Sequence, residues 1–307
     1  MPVISGTTRL FAVLGDPVDQ VRAPELVNPL FAELDLDAVL FPVHAPRARL
    51  DEVVTGLQAI GNLDGLLITV PHKIEICRHA DELSPAVTAS GSANALRRES
   101  DGRWFAENFD GAGFVRGLHA RGHRVAGRRC ALVGAGGAGA AIATALLDAG
   151  VRRLDLCDPD TARLDQVLTR LERMWPGRAA GSGTPQLDGA DLVVNATPLG
   201  LRPQDPLPLD PAALPPGCVV ADIIMKPRET PLLRAAAALG HPVHHGHHML
   251  DQQLDLYRTF FRLDARAAAG RAPETPNAAN VPAGPRVPDQ RSAPDTTAPR
   301  LEGARPA

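Results

Sequence analysis

The chain has 307 residues, 44% of them hydrophobic and 22% charged, with a formal net charge of −3. That length suits two medium domains, or one domain with a tail. The near-neutral balance removes any electrostatic reason to expect nucleic acid or an anionic membrane as partner, and no apolar run approaches the roughly 18 residues of a membrane span. Cys77, Cys130, Cys157 and Cys218 are scattered with no CxxC pair, the pattern of buried thiols in a reducing compartment. The opening MPVISGTTRLFAVLG lacks the long apolar core of a secretory signal, so a cytoplasmic protein is expected.

In chain order, RLFAVLG (9–15) reads as a strand and APELVNPLFAEL (23–34) as an amphipathic helix. DAVLFPVH (37–44) is a second strand, ARLDEVVTGLQAI (48–60) a second helix, and LDGLLITVPHK (63–73) a third strand running into a loop. Strand-then-helix alternation predicts a parallel or mostly parallel sheet with both faces covered. NFDGAGFVRGLHARG (108–122) reads as a helix, after which the rhythm restarts at RRCALVG (128–134). It continues through RRLDLCD, ADLVVNA and GCVVADII to a final helix over HHMLDQQLDLYRTFF (247–261). The fold class is α/β: an N-terminal α/β domain over 1–111, then a Rossmann-type dinucleotide-binding domain over 112–245. Residues 265–307, rich in Ala, Pro, Arg and Gly, bury too little apolar surface to offset their ordering entropy and are expected to be a disordered tail.

The restart carries Gly134-Ala135-Gly136-Gly137-Ala138-Gly139 between an apolar strand and an alanine-rich helix. A lone G-x-G-x-x-G is weak, but here a strand precedes it, a helix follows, and an acid closes the next strand. Gly134 permits the tight turn, Gly136 lets backbone N–H groups approach a pyrophosphate at the helix N-terminus, and Gly139 allows close helix–strand packing. Gly137 and Ala138 complete the loop. Asp158 sits at the end of that next strand, where an acid accepts hydrogen bonds from the adenosine ribose of NAD. Asp160 adds a charge that repels a 2′-phosphate, with Arg163 as the one cation able to reach back. NAD is preferred over NADP, with NADP still open.

Elsewhere, ITVPHK places Lys73 just past a strand end, SANAL offers Asn94, and NFDGAGF offers Asp110 near a helix start. With these residues and the dinucleotide loop, the chain resembles the shikimate dehydrogenase family, including its quinate dehydrogenase branch, over residues 9 to 262. VLGDPVDQVRAPELVN looks like the family's GxPxxxSxSPxxHN, ITVPHK like NxTxPxK, SANAL like AVNT and NFDGAGF like NTDGxGF. VGAGGAGAA and VNATPLG are similar to its nucleotide-domain signatures, and GHHMLDQQ to GxxMLxxQ.

The resemblance implies an NAD(P)-dependent alcohol dehydrogenase of aromatic amino acid biosynthesis acting on a small cyclic polyol or hydroxy acid, as a monomer or homodimer. The first domain would hold the substrate, and the last helix (246–264) would return to it. Lys73 and Asp110 would be the catalytic pair; Thr69, Asn94 and Gln253 would hydrogen-bond ring hydroxyls; and Asn195, Thr197, Gly246 and Met249 would border the cofactor.

The departures from the family cluster. Its two serines correspond to Val21 and Ala23, its tyrosine to Met225, and the asparagine of NxTxPxK to Leu67. Those three hydroxyls grip the substrate carboxylate in the family. Losing a hydroxyl donor to a charged group typically costs about 1.5–3 kcal/mol. Shikimate and quinate are therefore expected to be poor substrates unless Arg22 or Gln20 turns inward, and a related cyclic polyol, or an acid bound in another pose, fits better. HPVHHGHHML, with His241, His244, His245, His247 and His248, lacks a known ligand frame, so no metal is expected; His247 or His248 would border the nicotinamide instead. The alternative from another class is a catalytically quiet, dinucleotide- and metabolite-binding paralogue acting as a sensor, against which the retained Lys73 and Asp110 argue.

Overall fold

The computed structural model describes residues 4–270, which belong to one compact unit. In the first lobe, β1 (Arg9–Gly15), α1 (Ala23–Glu33), β2 (Ala38–His44), α2 (Leu50–Gln58) and β3 (Leu63–Ile68) alternate as their patterns predict. They are followed by β4 (Glu82–Leu83), α3 (Pro85–Ser90), β5 (Ala95–Arg98) and β6 (Trp104–Glu107). β1 is buried from Phe11 onward and β3 along its whole length, both on an apolar sequence interrupted in β3 only by Asp64 and Gly65. β2, at the sheet edge, alternates buried with exposed positions.

The first sheet has the order β2-β1-β3-β5-β6-β4 and is mostly parallel, as expected: β4 and β6 also pair parallel, and β5 is the strand that runs against the others. β1 runs parallel to β2 and β3, whereas β5 is antiparallel to both β3 and β6. The reason is local: a parallel crossover needs a dozen or more residues, and only residues 99–103 join β5 to β6. They turn at Asp101-Gly102, where Gly102 takes φ 88°.

The second lobe follows α4 (Asp110–Ala120). It contains β7 (Arg129–Val133), α5 (Gly137–Asp148), β8 (Arg153–Cys157), α6 (Thr161–Met174), β9 (Ala179–Ser182), β10 (Leu192–Asn195), β11 (Val219–Asp222), α7 (Pro231–Ala238) and β12 (Val243–His244). Its sheet, β12-β11-β10-β7-β8-β9, is wholly parallel. Strand order reverses between β7 and β10, the switch point where open α/β sheets take ligands beyond their strand ends. The glycine loop follows β7.

The single helix expected over 247–261 is two, α8 (His247–Asp251) and α9 (Gln253–Phe260), hinged at Gln252. The break lets one segment serve two cores. Met249 packs with Phe114 and Leu132 of the second lobe, while Tyr257, Phe260 and Phe261 pack with Phe11 and Phe31 of the first. The chain thus returns to the first sheet, with Phe261 edge-on to Phe11 at 5.2 Å between ring centroids. α10 (Leu263–Gly270) carries helix past residue 265, where a structureless tail was expected to start. Leu263 and Ala267 are buried in the first core, and Arg266 pairs with Asp64. The rest of the expected tail lies outside the described residues. No described helix is long and apolar enough to cross a membrane.

α4 lies between the lobes because its glycines let neighbours approach. A Cβ on Gly111 would stand 2.3 Å from the Ala141 carbonyl oxygen of α5, and one on Gly113 would stand 2.7 Å from the Met249 carbonyl oxygen of α8. Gly111→Ala is expected to destabilise the protein by about 1–3 kcal/mol by overpacking, read as a lower denaturant midpoint. An unchanged midpoint would mean that α4 and α5 can part without loss.

Candidate active site

Three chain segments reach the same end of the first sheet. Lys73 follows β3, Asn94 precedes β5, and Asp110 opens α4 just after β6. The ladder pairs Leu67 with Ala95 and Ala95 with Glu107, so these flanking residues become neighbours. Their backbones are pinned in place: Ala93 N–H donates to Lys73 O at 2.8 Å, and Asn94 N–H donates to Glu107 O at 3.0 Å.

The Asp110 carboxylate is the hub. Lys73 Nζ donates to its Oδ2 at 2.6 Å, while Asn94 Nδ2 and Gln253 Nε2 donate to its Oδ1 at 3.0 and 3.1 Å. Asn108 Oδ1 accepts from the Asp110 backbone N–H. Asp110 is buried and Lys73 nearly so, with side-chain exposures of 3% and 13%. A buried carboxylate is tolerated only when paired and hydrogen-bonded, and this one has both. Each amide nitrogen has a second, longer contact: Asn94 Nδ2 with the Tyr257 hydroxyl and Gln253 Nε2 with Phe109 O, both at 3.4 Å.

The glycine loop meets this hub. Ser92 Oγ donates to Gly137 O at 2.7 Å, and a Cβ on Gly137 would stand 2.6 Å from Lys73 Cβ. Gly134 takes φ 105°, and a Cβ on Gly139 would stand 1.9 Å from Gly134 O, so both positions require glycine. Gly136 caps α5 with nothing within 4 Å of a Cβ, leaving the helix N-terminus open on that side. This cradle fits the pyrophosphate of a nicotinamide dinucleotide.

The protein-family model for the shikimate dehydrogenase substrate-binding domain matches residues 13–96. The NADP(+) shikimate dehydrogenase of Rubrobacter xylanophilus is 37% identical over 249 residues, covering 78% of this chain and 86% of the relative. Among solved structures, shikimate 5-dehydrogenase of Listeria monocytogenes, in complex with shikimate and NAD, is 27% identical with a TM-score of 0.74. That match covers 85% of this chain and 93% of the other. Ligand-free 5-ketofructose reductase of a Gluconobacter species is 25% identical with a TM-score of 0.72, covering 87% and 99%.

The chain belongs to the shikimate dehydrogenase family.

Membership makes it an oxidoreductase of the NAD(P)-dependent alcohol dehydrogenase type, and the relatives' names give a sensor role no support. Several residues of this family member sit differently from expectation. Asp158 does not project from its strand: it is buried, its Oδ2 accepts from Ala135 N–H and its Oδ1 from Asp160 N–H. It braces the glycine loop, leaving Asp160 as the exposed acid. Arg163 Nη2 donates to Asp160 at 2.7 Å, with Nη1 3.4 Å from Asp158.

Asn195 is fully buried and its amide is engaged internally. It donates to Leu199 O and Asp222 Oδ2, and it accepts from Thr197 Oγ1. The pair thus shapes the loop after β10. Met249 is packed in the core, while Gly246 must be glycine because a Cβ there would stand 2.5 Å from Ile224 O. Thr69, at the end of β3, holds its methyl against Gly15.

At the family's carboxylate grip, Val21 and Ala23 pack beside the first core and Met225 beside the second. Leu67 is core. Gln20 Nε2 folds back on Pro17 O at 3.2 Å, and Arg22 Nε lies 3.7 Å from Glu25. Along α8, burial pushes the His247 and His248 imidazoles below their ordinary pKa, helped by Arg228 near the first and by His247 and Arg121 near the second.

Sequence reasoning missed Tyr257, one turn beyond Gln253 on α9. Its hydroxyl donates to Gln253 Oε1 at 2.7 Å and lies 3.4 Å from Asn94 Nδ2. This fixes which way the Gln253 amide faces and turns its N–H toward Asp110. Helical spacing alone marked the position as core; the phenol among buried polar groups was the available signal. Burial and the nearby Asp110 raise its pKa well above 10.0. Because the folded state holds this proton more tightly than the unfolded state, stability is full below pH 10 and falls as pH rises beyond it. It is the only tyrosine in the chain. Tyrosinate absorbance is expected to appear only with alkaline unfolding, but near pH 10 in denaturant. A native titration near 10 would place the phenol outside this network.

Proposed function

We propose that the protein transfers hydride between NAD and a hydroxyl-bearing carbon of a carboxylate-free polyol or its ketone. The carrying observation is a division within the site: the Lys73–Asp110–Asn94–Gln253 network is complete, while Val21, Ala23 and Met225 offer no side-chain hydroxyl to an acid. Likeness to an enzyme named for 5-ketofructose, a neutral sugar, supports this reading; the names of the curated relatives favour shikimate itself. We assign the substrate role to residues 1–111 with the returning segment 246–264, and the cofactor role to 112–245.

The bound nicotinamide supplies or accepts the hydride. Lys73 Nζ, held by Asp110 Oδ2, is the proton carrier: it donates to the carbonyl oxygen as the alcohol forms and stabilises the alkoxide in the reverse direction. Its partial exposure lets solvent restore that proton. Asn94 and Gln253, anchored on Asp110 Oδ1, would bind neighbouring hydroxyls by exchanging their longer 3.4 Å contacts with Tyr257 and Phe109 for the substrate. Gly134, Gly136, Gly137, Ala138 and Gly139 hold the pyrophosphate. Asp160 faces the adenosine ribose, its charge only partly offset by Arg163, which disfavours a 2′-phosphate.

Initial rates with NAD and NADP against shikimate, quinate and neutral cyclic polyols test this reading. Turnover is expected with NAD and a neutral polyol; efficient shikimate turnover would overturn the substrate assignment. Lys73→Met should lower kcat by about 10²–10⁴-fold and leave NAD affinity unchanged, and parallel loss of both would remove its assigned role. Combining Val21→Ser, Ala23→Ser and Met225→Tyr should raise kcat/KM for shikimate by about tenfold or more, given roughly 1.5–3 kcal/mol per restored donor. No gain would locate the acid's recognition elsewhere.

A further inference from the structure

The histidine-rich stretch before α9 belongs to neither the polar hub nor the glycine cradle. On α8, His247, His248 and Asp251 each offer a ligand atom, and these atoms all lie within 4.8 Å of one another. Asp251 stands four residues after His247 and three after His248, the two spacings that bring helix side chains together. The imidazoles are adjacent, with ring centroids 4.0 Å apart and planes tilted by 43°. His247 Nδ1 is buried with no hydrogen-bond partner among the described residues, and so are both ring nitrogens of His244, whose ring lies 5.0 Å from that of His248. Buried polar atoms are nearly always satisfied. An orphaned imidazole nitrogen beside a second imidazole and a carboxylate is a donor set without its acceptor.

We propose that His247, His248 and Asp251 form a binding site for a divalent transition cation of the zinc class. Two imidazole nitrogens and one carboxylate oxygen suit Zn²⁺, with water in the fourth position. Ligand atoms at roughly 2.0–2.1 Å from such an ion stand about 3.3 Å apart in a tetrahedron, reached from the present spacing by side-chain rotation on a fixed backbone. His244, packed behind His248, limits the rotamers His248 can take. Arg228 and Arg22 near His247 and Arg121 near His248 oppose the cation.

The ion would have a structural consequence. Asp251 is two residues before Gln253, and Gln252 is the hinge between α8 and α9. An ion joining the start of α8 to its end holds the turn that delivers Gln253 to Asp110. This goes beyond the proposed reaction, which needs no metal, so the two can fail separately.

The test uses chelator-treated, tag-free full-length protein titrated with Zn²⁺ by calorimetry, with Co²⁺ absorption as a second readout. One equivalent of Zn²⁺ is expected to bind saturably and raise Tm, and Co²⁺ is expected to give the visible bands of a tetrahedral site. Asp251→Asn, an exposed change, should weaken Zn²⁺ binding by about tenfold or more. His241→Asn should leave binding as it was. Absence of saturable binding would overturn the proposal. So would binding that survives Asp251→Asn but weakens in His241→Asn, the mark of an adventitious histidine tract.

Discussion

The structure turns on one buried carboxylate. Asp110 opens α4 at the ends of β3, β5 and β6, and it takes a lysine, two amides and an asparagine-anchored backbone into a space with almost no water. An isolated charge there would be untenable, and removing one partner of a buried pair typically costs about 3–5 kcal/mol. Satisfying it requires Lys73 from the end of β3, Asn94 from the approach to β5 and Gln253 from a helix more than a hundred residues later. The glycines of α4 then admit α5 on one side and α8 on the other, so the helix that presents the carboxylate also joins the lobes.

Much of this was legible in the sequence, for reasons that differ by element. The parallel strands of the second lobe are mostly apolar and buried, and the glycine loop must sit after β7 because only glycine takes φ 105° at residue 134 or tolerates the contact at Gly139. The pairing of Lys73 with Asp110 was implied by motif order. What stayed hidden depends on partners distant in sequence. The antiparallel β5–β6 hairpin was signalled by Asp101-Gly102 yet submerged in an α/β rhythm. The break at Gln252 arises because α8 and α9 serve different cores, which no single-helix periodicity reveals. Asp158 and Asp160 are both well placed in the chain, and only the folded loop shows the first bracing Ala135 while the second faces outward. Tyr257 reads as one more apolar position until its hydroxyl is seen on Gln253.

The site is modular, and under the proposed function that modularity lets a family member keep its chemistry while its substrate changes. The proton-handling groups are wired to one another, so altering one leaves a buried partner unsatisfied. Val21, Ala23 and Met225 touch none of them. They lie before and at the start of α1 and beyond β11, packed at the margins of two hydrophobic cores, where exchanging a hydroxyl for a methyl or thioether costs the fold nothing electrostatic. Recognition of an acid is therefore easier to lose than catalysis. Family and fold set the reaction class, and the margin of the cleft sets the molecule that enters it.

The same division runs through the cofactor side. Asp158 is structural: replacing its carboxylate would strand the Ala135 and Asp160 N–H groups and loosen the loop for either dinucleotide. Asp160 has a lighter structural duty, capping α6 through the Arg163 N–H, and keeps an exposed carboxylate. Arg163 is the only nearby cation that could serve a 2′-phosphate, and its Nη2 is already on Asp160. Binding the phosphate would require breaking that pair and setting the phosphate beside the acid it releases, two unfavourable steps that a ribose hydroxyl avoids. In the proposed reading, cofactor choice follows from whether Arg163 is free, a property of the α6 N-terminus that the glycine loop alone does not specify.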